Sequence, residues 1–558
     1  MSHSQSTAPA GPRRQLNVFD ATCIIVGIII GAGIFRSTPM IAANVPNLWA
    51  FLACWAFGGL LSLVGALCYA ELVTTYPRSG GAYIFLTRAY GSPLGFVFAW
   101  SELFVVRPGS IGAMAYVFGD YANQAVYRLP LPSGYEAFGS MVYAVAAVLV
   151  LTVINVVGVR EGKWTQNLLT VLKVLGLGAI ILAGLALFGK AATPMTQPVY
   201  RVEAETPGEA EAAPADLLEG NPPPAAESIG PVPEETSTRP GGLPPYSLAL
   251  ALILVMYTFG GWDEMAYVGA ELKDPKRTVL RALLLGTLSV TAIYILVSLA
   301  FVSALGFQGV RDSSAVAADV MDLWLGPYAS KAIALLICVS ALGAINGQIF
   351  TGGRILYAMG KDHRLFGWLG KWHPWMGTPV WALATLMAVT LTLVAAVGFL
   401  TGEEEHAGND AAIAEQAFEP GEEGYAGSDA ADPEQGLEGG TEENTTNDVP
   451  NLERAFEKMV IFTAPPFWAF FFLVGASVYV LRIREPKTPR PYRVTGYPVT
   501  PAIFGGICLF MFYSSLTYSY SVGSREGLWA VGLLIVGVVV AGLQWVLGRS
   551  RATPANGS

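Results

Sequence analysis

The stretch Gly27-Ile-Ile-Ile-Gly31-Ala-Gly33-Ile-Phe35 decides the fold, because it places three glycines inside an apolar run long enough to cross a bilayer. That run covers residues 21–40, and the glycines near its middle are poor residues for keeping a helix wound. In lipid, a broken helix is tolerated only where its unpaired backbone groups line a protein cavity. The stretch therefore predicts either a binding cavity or close helix packing through small residues, and by itself it leaves both interpretations open.

A helix that opens at residues 31–33 offers both halves of a site for an amino acid backbone. The free N–H groups at the start of its second half can hold an anion such as a carboxylate. The freed carbonyl groups near Ile30 can accept hydrogen bonds from an ammonium group. Under the cavity interpretation, the first span is the centre of a small-molecule site.

The composition is that of a protein that crosses the membrane many times. Of the 558 residues, 53% are hydrophobic and 13% are charged. The apolar runs predict an all-α integral membrane protein with 12 transmembrane helices. They lie at residues 21–40, 48–72, 94–118, 139–159, 166–188, 246–270, 280–305, 331–359, 380–400, 459–480, 502–520 and 528–547.

The net charge of −9 comes from two acidic segments between spans. Residues 191–245 hold 9 acidic and 2 basic residues, and residues 401–453 hold 16 acidic residues without any Lys or Arg. The rest of the chain has 31 basic and 17 acidic residues, which suits a protein that faces anionic lipid on one side. This charge distribution does not indicate a nucleic-acid partner.

The loops predict the orientation. Lys and Arg are concentrated in the loops that follow the even-numbered spans, so the positive-inside rule places both termini, residues 1–17 and 548–558, in the cytoplasm. The two acidic segments then lie outside the cell membrane, and their composition predicts that both are largely disordered. We expect residues 18–482 to form the transport core, followed by an inner loop and the last two helices at residues 483–547.

A second interrupted span resembles the first. Tyr257-Thr-Phe-Gly260-Gly-Trp-Asp263-Glu264 places adjacent glycines and two acidic residues at membrane depth in the sixth span. The two interrupted spans are five apart, so they cross the bilayer in opposite directions. Paired interruptions of this kind indicate two inverted five-helix repeats with a transport site near the bilayer midplane.

At this point the chain resembles a known family. Five motifs carry the resemblance: GIIIGAGIFRSTP (27–39), AELVTTYPRSGGAY (70–83), WSELFVVRPGS (100–110), FGGWDEMAYVGAELKDPKRTVLR (259–281) and AINGQIFTGGRILY (344–357). A further motif, RPYRVTGYP (490–498), fits the loop before span eleven. The combination is similar to the amino acid/polyamine/organocation superfamily, and within it most similar to the L-type light chains of heteromeric amino acid transporters and their bacterial relatives. The resemblance implies a LeuT-like fold of 5+5 inverted repeats, with helices 1 and 6 broken, and transport by alternating access.

The resemblance also implies which residues bind substrate. By position, the backbone of Gly31, Ala32 and Gly33 would bind the carboxylate. The carbonyls of Ile30 and Gly260 would bind the ammonium group. Tyr257 would be the aromatic gate, and the matched motifs place Trp262 and Asn346 among the coupling and gating residues. The family usually has Ser at the position of Ala32, so a backbone contact survives there and a hydroxyl contact does not.

For two charged residues in the spans, the resemblance implies a specific role. Lys173 in span five matches a Lys of sodium-independent relatives that takes the place of a cation and ties the first helix half to span eight. The alternative is a Lys that snorkels to the membrane edge. Asp263 stands where most L-type relatives have Asn and where a branch that handles cationic amino acids has Asp. It therefore predicts acceptance of lysine or arginine, and the alternative is a helix-capping Asp.

We therefore predict a sodium-independent amino acid transporter of the cell membrane, an exchanger for neutral and cationic amino acids. Two alternatives remain open. Proton-coupled symport would use Glu71, Glu102, Asp263 or Glu264, and a non-transporting amino acid sensor would bind without turnover. No nucleophile–base set, phosphate loop or metal cluster suggests an enzyme, so neither cofactor nor metal is expected.

The expected partners are a small-molecule amino acid and the lipid bilayer. Eukaryotic light chains carry a Cys after span three that links a heavy chain, but residues 122–136 contain no Cys. We therefore expect no disulfide-linked heavy chain.

Overall fold

The computed structural model describes residues 11–123, 127–131, 138–187, 247–417, 449–521 and 526–550. Within these residues the chain is helical, and its only pairing of extended backbone is a short parallel bridge between Leu16 and Leu272. The α-helices are α1 (Val18–Ile29), α2 (Gly33–Ala43), α3 (Leu48–Thr75), α4 (Ala82–Tyr90), α5 (Ser92–Ser101), α6 (Arg107–Tyr121), α7 (Phe138–Val157), α8 (Val159–Ala186), α9 (Leu248–Thr258), α10 (Pro275–Asp312), α11 (Val316–Leu325), α12 (Ala329–Asp362), α13 (Val380–Ala417), α14 (Val449–Arg484), α15 (Val499–Ser521) and α16 (Glu526–Ser550).

Two irregular helices complete the site region. A π-helical turn, Glu102–Val106, joins α5 to α6, and a 3₁₀ segment, Trp262–Glu271, follows α9. Shorter 3₁₀ turns occur at Gly326–Tyr328 and Arg364–Phe366, and α10 bends at Gly306, whose φ is 74°.

The apolar helices confirm a multi-pass membrane protein. In the described part of the chain, nine helices are long and apolar enough to cross a membrane, and the bent pair α1–α2 makes a tenth span. The segment after the second break is not an apolar α-helix, and the apolar part of α16 is short, Trp529–Gln544. The predicted count of twelve therefore stays a prediction for these two segments.

Side-chain caps explain where the first helices begin. Asn17 Oδ1 accepts a hydrogen bond from the Asp20 N–H at 2.9 Å, and Asp20 Oδ2 accepts one from the Asn17 N–H at 3.0 Å. This reciprocal pair satisfies two backbone donors at the start of α1. Asn47 caps α3 in the same manner, with its Oδ1 2.9 Å from the Ala50 nitrogen.

The first broken span lies at the centre of the bundle, because glycine lets it approach its neighbours closely. α1 packs against α8, α10 and α12. A side chain at Gly27 would have its Cβ 2.2 Å from Gln166 Nε2 and 2.3 Å from Thr170 Oγ1, so only glycine permits this distance between α1 and α8. Both helices are thereby held against the backbone that opens a few residues later.

One expectation for the acidic segments is wrong at the ends of the second segment. Residues 401–453 were expected to be largely disordered, but α13 continues to Ala417 and α14 already begins at Val449. Ala and Glu are frequent in residues 401–417, and both are strong helix formers that can extend an existing helix. Residues 418–448 and the first acidic segment, 191–245, lie outside the described residues.

Candidate functional site

The two interrupted spans break side by side. α1 ends at Ile29 and α2 begins at Gly33 with a bend of 49°, while α9 ends at Thr258 before the 3₁₀ segment. α1 packs against the 3₁₀ segment and α2 packs against α9, so the two spans run antiparallel. A Cβ at Gly33 would lie 3.1 Å from the Thr258 side chain, which shows how closely the two breaks approach each other.

Gly261 is needed in the second break for two independent reasons. Its φ is 111°, a left-handed conformation that other residues adopt only with strain. A Cβ at this position would also lie 2.7 Å from Ile28 Cγ2 in α1. The glycine therefore turns the chain and allows the contact between the two breaks.

The breaks leave backbone polar groups without partners beside a cavity. In the described part of the chain, the N–H groups of Ala32 and Gly33 and the carbonyl oxygen of Gly260 have no hydrogen-bond partner. Gly33 and Gly260 line a cavity of about 130 Å³ that lies between the breaks. Unpaired donors at the start of α2 and an unpaired acceptor nearby fit the carboxylate and the ammonium group of an amino acid.

Five of the ten predicted site residues line this cavity, and five do not. The lining residues are Gly31, Gly33, Tyr257, Gly260 and Asp263. Ile30, Ala32, Lys173, Trp262 and Asn346 are not among the lining residues.

The cavity has one aromatic wall and one charged wall. α14 contributes Phe467, Trp468 and Phe471, which are well placed for apolar parts of a ligand. The charged part of the lining, which we call the charged wall, contains Glu102, Arg107, Asp263 and Glu264. A ligand in this cavity therefore meets apolar surface and carboxylates at the same time.

Lys173 in α8 is fully buried, and its ammonium group binds the backbone at the first break. Its Nζ donates to the carbonyl oxygens of Gly27 and Ile30, both at 2.7 Å, and to that of Ser340 at 3.0 Å. An ammonium group has three N–H bonds, so this set uses all of its donors. Lys173 thus joins the end of α1 to α12 and does not snorkel to a membrane edge, whereas its role in coupling stays a prediction.

The Ile30 carbonyl is already occupied in this conformation. Besides the Lys173 ammonium group, it accepts a hydrogen bond from Ser340 Oγ at 3.0 Å. The single hydroxyl proton of Ser340 lies between the Ile30 and Gly31 oxygens, so the Lys173 ammonium group is the main donor to the Ile30 carbonyl. The expected contact between Ile30 and a substrate ammonium group stays a prediction, in which the substrate would share this carbonyl with Lys173.

Two hydroxyl groups at the breaks were missed by sequence reasoning. Ser340 Oγ lies 3.0 Å from the Ile30 oxygen and 3.1 Å from the Gly31 oxygen. Tyr294 Oη in α10 lies 3.0 Å from the Ile29 oxygen and 3.2 Å from the Thr258 oxygen, so it joins both breaks. Each is one polar residue in an apolar run, and nothing local to those runs indicates its partner.

Asp263 is nearly fully buried and has one free oxygen. Its Oδ2 accepts a hydrogen bond from Tyr267 Oη at 3.1 Å, while Oδ1 has no partner in the described part of the chain. The 3₁₀ segment begins after Gly261 and has no side-chain cap at that end. Asp263 therefore does not act as the helix cap that was the alternative to a substrate role.

Arg107 is the centre of a buried ion cluster beside Asp263. Its guanidinium lies 2.8 Å from Glu102 and 2.8 Å from Glu264, and it donates to Thr351 Oγ1 at 3.0 Å. The π-helical turn explains the first contact, because it places residues five apart on the same side of the helix. With Asp263, the wall has three carboxyl groups for one guanidinium, which favours a further positive charge, either a proton or a cationic ligand.

Trp262 and Asn346 support the bundle from behind the cavity. The Trp262 ring packs against Tyr69 and Phe471, with centroids 5.1 and 5.4 Å away. Asn346 donates to Gln166 Oε1 at 2.9 Å and accepts from Asn155 Nδ2 at 2.8 Å, which joins α12 to α8 and α7. Their predicted gating roles would act through these contacts and not through direct contact with a ligand in the cavity.

Glu71, one of the candidate proton carriers, lies away from the cavity at the end of α3. Its carboxylate accepts from Arg482 at 2.8 Å and from the Val494 N–H at 2.6 Å, and Arg490 lies 3.4 Å away. Two guanidinium groups and a backbone donor therefore surround it outside the cavity. A proton role falls instead to Glu102, Asp263 or Glu264.

A fully buried ion pair lies at the end of the 3₁₀ segment. Arg354 Nε lies 2.9 Å from Glu271 Oε1, and both side chains are 0% exposed. The Glu271 carbonyl accepts from the N–H groups of Gln15 and Leu16 at 2.8 and 2.9 Å, which fixes the N-terminal segment to the end of the 3₁₀ segment.

The chain is similar to known proteins over most of its length. The amino acid permease family matches residues 16–540. The chain is 31% identical to the b(0,+)-type amino acid transporter 1 of Mus musculus over 360 residues, which is 64% of this chain and 65% of the relative.

Two further relatives carry similar names. The chain is 29% identical to the Asc-type amino acid transporter 1 of Mus musculus, over 70% of this chain and 68% of the relative. It is 30% identical to the large neutral amino acids transporter small subunit 2 of Homo sapiens, over 70% of this chain and 67% of the relative. The alignment with the b(0,+)-type transporter spans just under two thirds of that protein's length.

Proposed function

This chain belongs to the amino acid permease family, and we propose that it is a sodium-independent amino acid exchanger that works by alternating access in the cell membrane. The observation that carries the proposal is the position of the Lys173 ammonium group. It occupies the space between the carbonyls of Gly27, Ile30 and Ser340, where an inorganic cation would otherwise hold α1 to α12. A protein that carries its own cation at this junction has no need of sodium there.

The substrate backbone would bind at the two breaks. The N–H groups of Ala32 and Gly33 would hold the carboxylate, and the Gly260 carbonyl would accept from the ammonium group. Because the Ile30 carbonyl accepts a hydrogen bond from Lys173, the Gly260 carbonyl would be the main acceptor for the substrate ammonium group. Tyr257 lines the same cavity and is the proposed aromatic gate.

The cavity walls support a substrate range of neutral and cationic amino acids. The aromatic side chains of α14 suit an apolar side chain, and the free oxygen of Asp263 suits a cationic one. A relative with about 30% identity carries the name of a large neutral amino acids transporter subunit, which agrees with the first half of this range.

The surplus of carboxyl groups favours a second candidate, proton-coupled symport. Glu102 and Glu264 share the guanidinium of Arg107, and Asp263 adds a third carboxyl group to the same wall. A proton held in this cluster would be a coupling ion if it moved with the substrate. The exchanger remains the first proposal because Lys173 needs no transported ion for its contacts.

We further propose twelve transmembrane helices in two inverted five-helix repeats. The antiparallel packing of the two broken spans supports this arrangement, with both termini in the cytoplasm and the two acidic segments outside. Residues 18–482 would be the transport core and residues 483–547 the appended part. The five cysteines are buried free thiols, which supports the proposal of a chain without a disulfide-linked heavy chain, although residues 124–126 and 132–137 lie outside the described part.

The deciding experiment is counterflow in proteoliposomes. Vesicles that contain the purified protein are loaded with unlabelled leucine or with buffer, and uptake of labelled leucine is followed in sodium or choline medium. We expect uptake that requires internal amino acid and does not change when choline replaces sodium. A strict sodium requirement contradicts the proposal, uptake driven by a pH gradient into empty vesicles indicates symport, and binding without uptake indicates a sensor.

A further inference from the structure

The loop between α12 and α13, residues 363–379, carries an unusual concentration of exposed aromatic and apolar side chains. We call it the tryptophan loop. Trp375 is 95% exposed, and the other exposed apolar side chains of the loop and the first turn of α13 are Leu365, Trp368, Met376 and Trp381. These side chains are between 39% and 95% exposed. Large apolar groups that share one surface indicate an interaction site.

The loop is a preformed surface. A Cβ at Gly360 would lie 2.3 Å from the Gly370 nitrogen, so the loop backbone lies directly on the end of α12. The ring of Trp372 packs on Tyr357 with a centroid distance of 5.0 Å. These contacts fix the base of the loop against a helix that also carries Ser340 and Thr351 of the transport site.

The exposed tip is a closed turn that presents Trp375 outward. The His373 N–H donates to the Thr378 carbonyl at 2.9 Å, and the Gly377 N–H donates to the His373 carbonyl at 2.9 Å. Thr378 Oγ1 donates to the Val156 carbonyl at 3.1 Å, which holds the turn against the end of α7. Because the turn is fixed at both sides, the exposure of Trp375 is a property of the fold.

The position and charge of the loop identify the surface that it meets. α12 and α13 both have the length and composition of membrane spans, so the loop that joins them lies at the membrane boundary, where Trp is favoured. Lys361, Arg364 and Lys371 are exposed beside the aromatic side chains. The nearby acidic residue, Asp362, accepts a hydrogen bond from Tyr83 Oη at 2.8 Å.

We propose that the tryptophan loop is a binding surface for anionic phospholipids. The rings of Trp368 and Trp375 lie at the depth of the headgroups, and Arg364 and Lys371 bind the lipid phosphates. A folded protein partner is disfavoured because the neighbouring helix ends place this surface against lipid. The bound lipid is thereby connected to α12, the helix whose Ser340 contacts the first break.

The proposal is tested by direct contact between Trp375 and lipid, without reference to transport. The full-length protein is placed in vesicles of phosphatidylcholine that contain a small fraction of either brominated phosphatidylglycerol or brominated phosphatidylcholine. The quenching of Trp375 fluorescence is obtained as the difference between the unmodified protein and Trp375→Phe. We expect brominated phosphatidylglycerol to quench Trp375 more strongly than the same fraction of brominated phosphatidylcholine.

Two matched double variants test the role of charge. Arg364→Gln with Lys371→Gln should remove the preference for phosphatidylglycerol, with about a fivefold loss for each basic side chain near the anionic surface. Lys487→Gln with Arg493→Gln removes the same charge from exposed positions of the loop between α14 and α15 and should keep the preference. The proposal is overturned if both double variants lose the preference equally or if the unmodified protein shows none.

Two further measurements exclude other occupants of the surface. Trp529 is an exposed tryptophan in the apolar part of α16. Its quenching, obtained as the difference between the unmodified protein and Trp529→Phe, should not depend on the lipid headgroup. Excess inorganic phosphate should leave the lipid preference of Trp375 unchanged. If phosphate removes the preference, or if aqueous iodide quenches Trp375 as fully as free tryptophan, the surface is not a lipid site.

Discussion

The ammonium nitrogen of Lys173 lies 2.7 Å from the carbonyl oxygen of Ile30, at the point where the first span opens. The two residues are 143 positions apart in the chain. Because the same ammonium group also reaches the carbonyl of Ser340 in α12, one side chain determines how α1, α8 and α12 meet beside the cavity.

Replacing Lys173 by Ala should impair transport more than binding. The change removes the Lys173 donor from the buried carbonyls of Gly27, Ile30 and Ser340, and each hydrogen bond from a charged donor is worth about 1.5–3 kcal/mol, a loss that the helices can reduce by moving apart. We expect a large loss of turnover in counterflow, a smaller change in the substrate Kd, and uptake by the unmodified protein that is indifferent to sodium.

Lys163→Ala is the matched control for this variant. Lys163 also lies in α8 and binds α1, through Asp20 at 3.1 Å, but its side chain is 19% exposed and far from the break. The control should keep most of the turnover. Equal losses in the two variants would show that any contact between α8 and α1 is sufficient and that the position of Lys173 has no special role.

Replacing Asp263 by Asn should lower the uptake of lysine relative to leucine. A carboxylate about 4 Å from a substrate cation is worth on the order of 4 kcal/mol at an effective dielectric constant near 20, before desolvation is subtracted. A third of that energy changes selectivity about tenfold. The measurement is the ratio of lysine to leucine uptake under identical conditions.

Asp274→Asn is a suitable control, because Asp274 is an acidic residue with a side chain that is 55% exposed, just beyond the 3₁₀ segment. It should leave the ratio unchanged. An unchanged ratio in Asp263→Asn would rule out the selectivity role, and a parallel loss for both substrates would point to a structural role instead.

Replacing Gly33 by Val should abolish both binding and transport while the protein still inserts into the membrane. The new Cβ would lie 3.1 Å from the Thr258 side chain, and the branched side chain would displace the backbone that offers the N–H groups of Ala32 and Gly33. We expect at least a tenfold weaker Kd for the preferred substrate in the purified variant.

Gly178→Val provides the comparison, since a Cβ at Gly178 in α8 meets no atom within 4 Å. It adds the same side chain to a membrane helix and should leave binding intact. Normal affinity in Gly33→Val would show that the backbone at this break does not bind the substrate.

The buried His363 predicts a pH dependence of stability. Burial lowers the pKa of His363 below its usual 6.5, against the opposing effects of its hydrogen bond with Gln544 and the charge of Asp362. The unfolded chain therefore binds a proton at a higher pH than the folded protein does. Stability is complete above pH 6.5 and falls as the pH decreases from there through the folded pKa.

The measurement is the Tm in detergent between about pH 7.5 and about pH 5.5, in the unmodified protein and in His363→Asn. The variant should lose part of the decrease in Tm at low pH. His373→Asn changes an exposed histidine of the same loop and should keep the full decrease. If His363→Asn has the same pH profile as the unmodified protein, His363 does not contribute to it.

Local sequence determined where the helices break. The glycines of the first span and Gly260-Gly261 of the sixth predicted interruptions, and the structure has both, because helix propensity acts over a few neighbouring residues. The apolar runs likewise determined that the protein is helical and crosses the membrane many times. Such runs identify membrane helices because unpaired backbone N–H and C=O groups are too costly in lipid, and a helix pairs them within one segment.

Only the tertiary structure decided which side chains meet at the site. Glu71 lies a few residues before the basic residues that follow α3, but it pairs with Arg482, 411 residues away. The Ile30 carbonyl, which is predicted to face a substrate, accepts hydrogen bonds from Lys173 and Ser340. These pairings depend on how helices that are far apart in the chain pack together. The sequence near each residue contains no information on which distant helix that residue will contact.

The charged wall of the cavity shows the same difference between what the sequence determines and what helix packing decides. Sequence showed acidic and basic residues at membrane depth, and their cost in lipid predicted that each has a partner. It did not show that Arg107 joins Glu102 of its own span to Glu264 of the 3₁₀ segment, nor that Tyr294 joins the two breaks. Sequence thus determined which groups need partners, and the packing of the helices decided which partners they have.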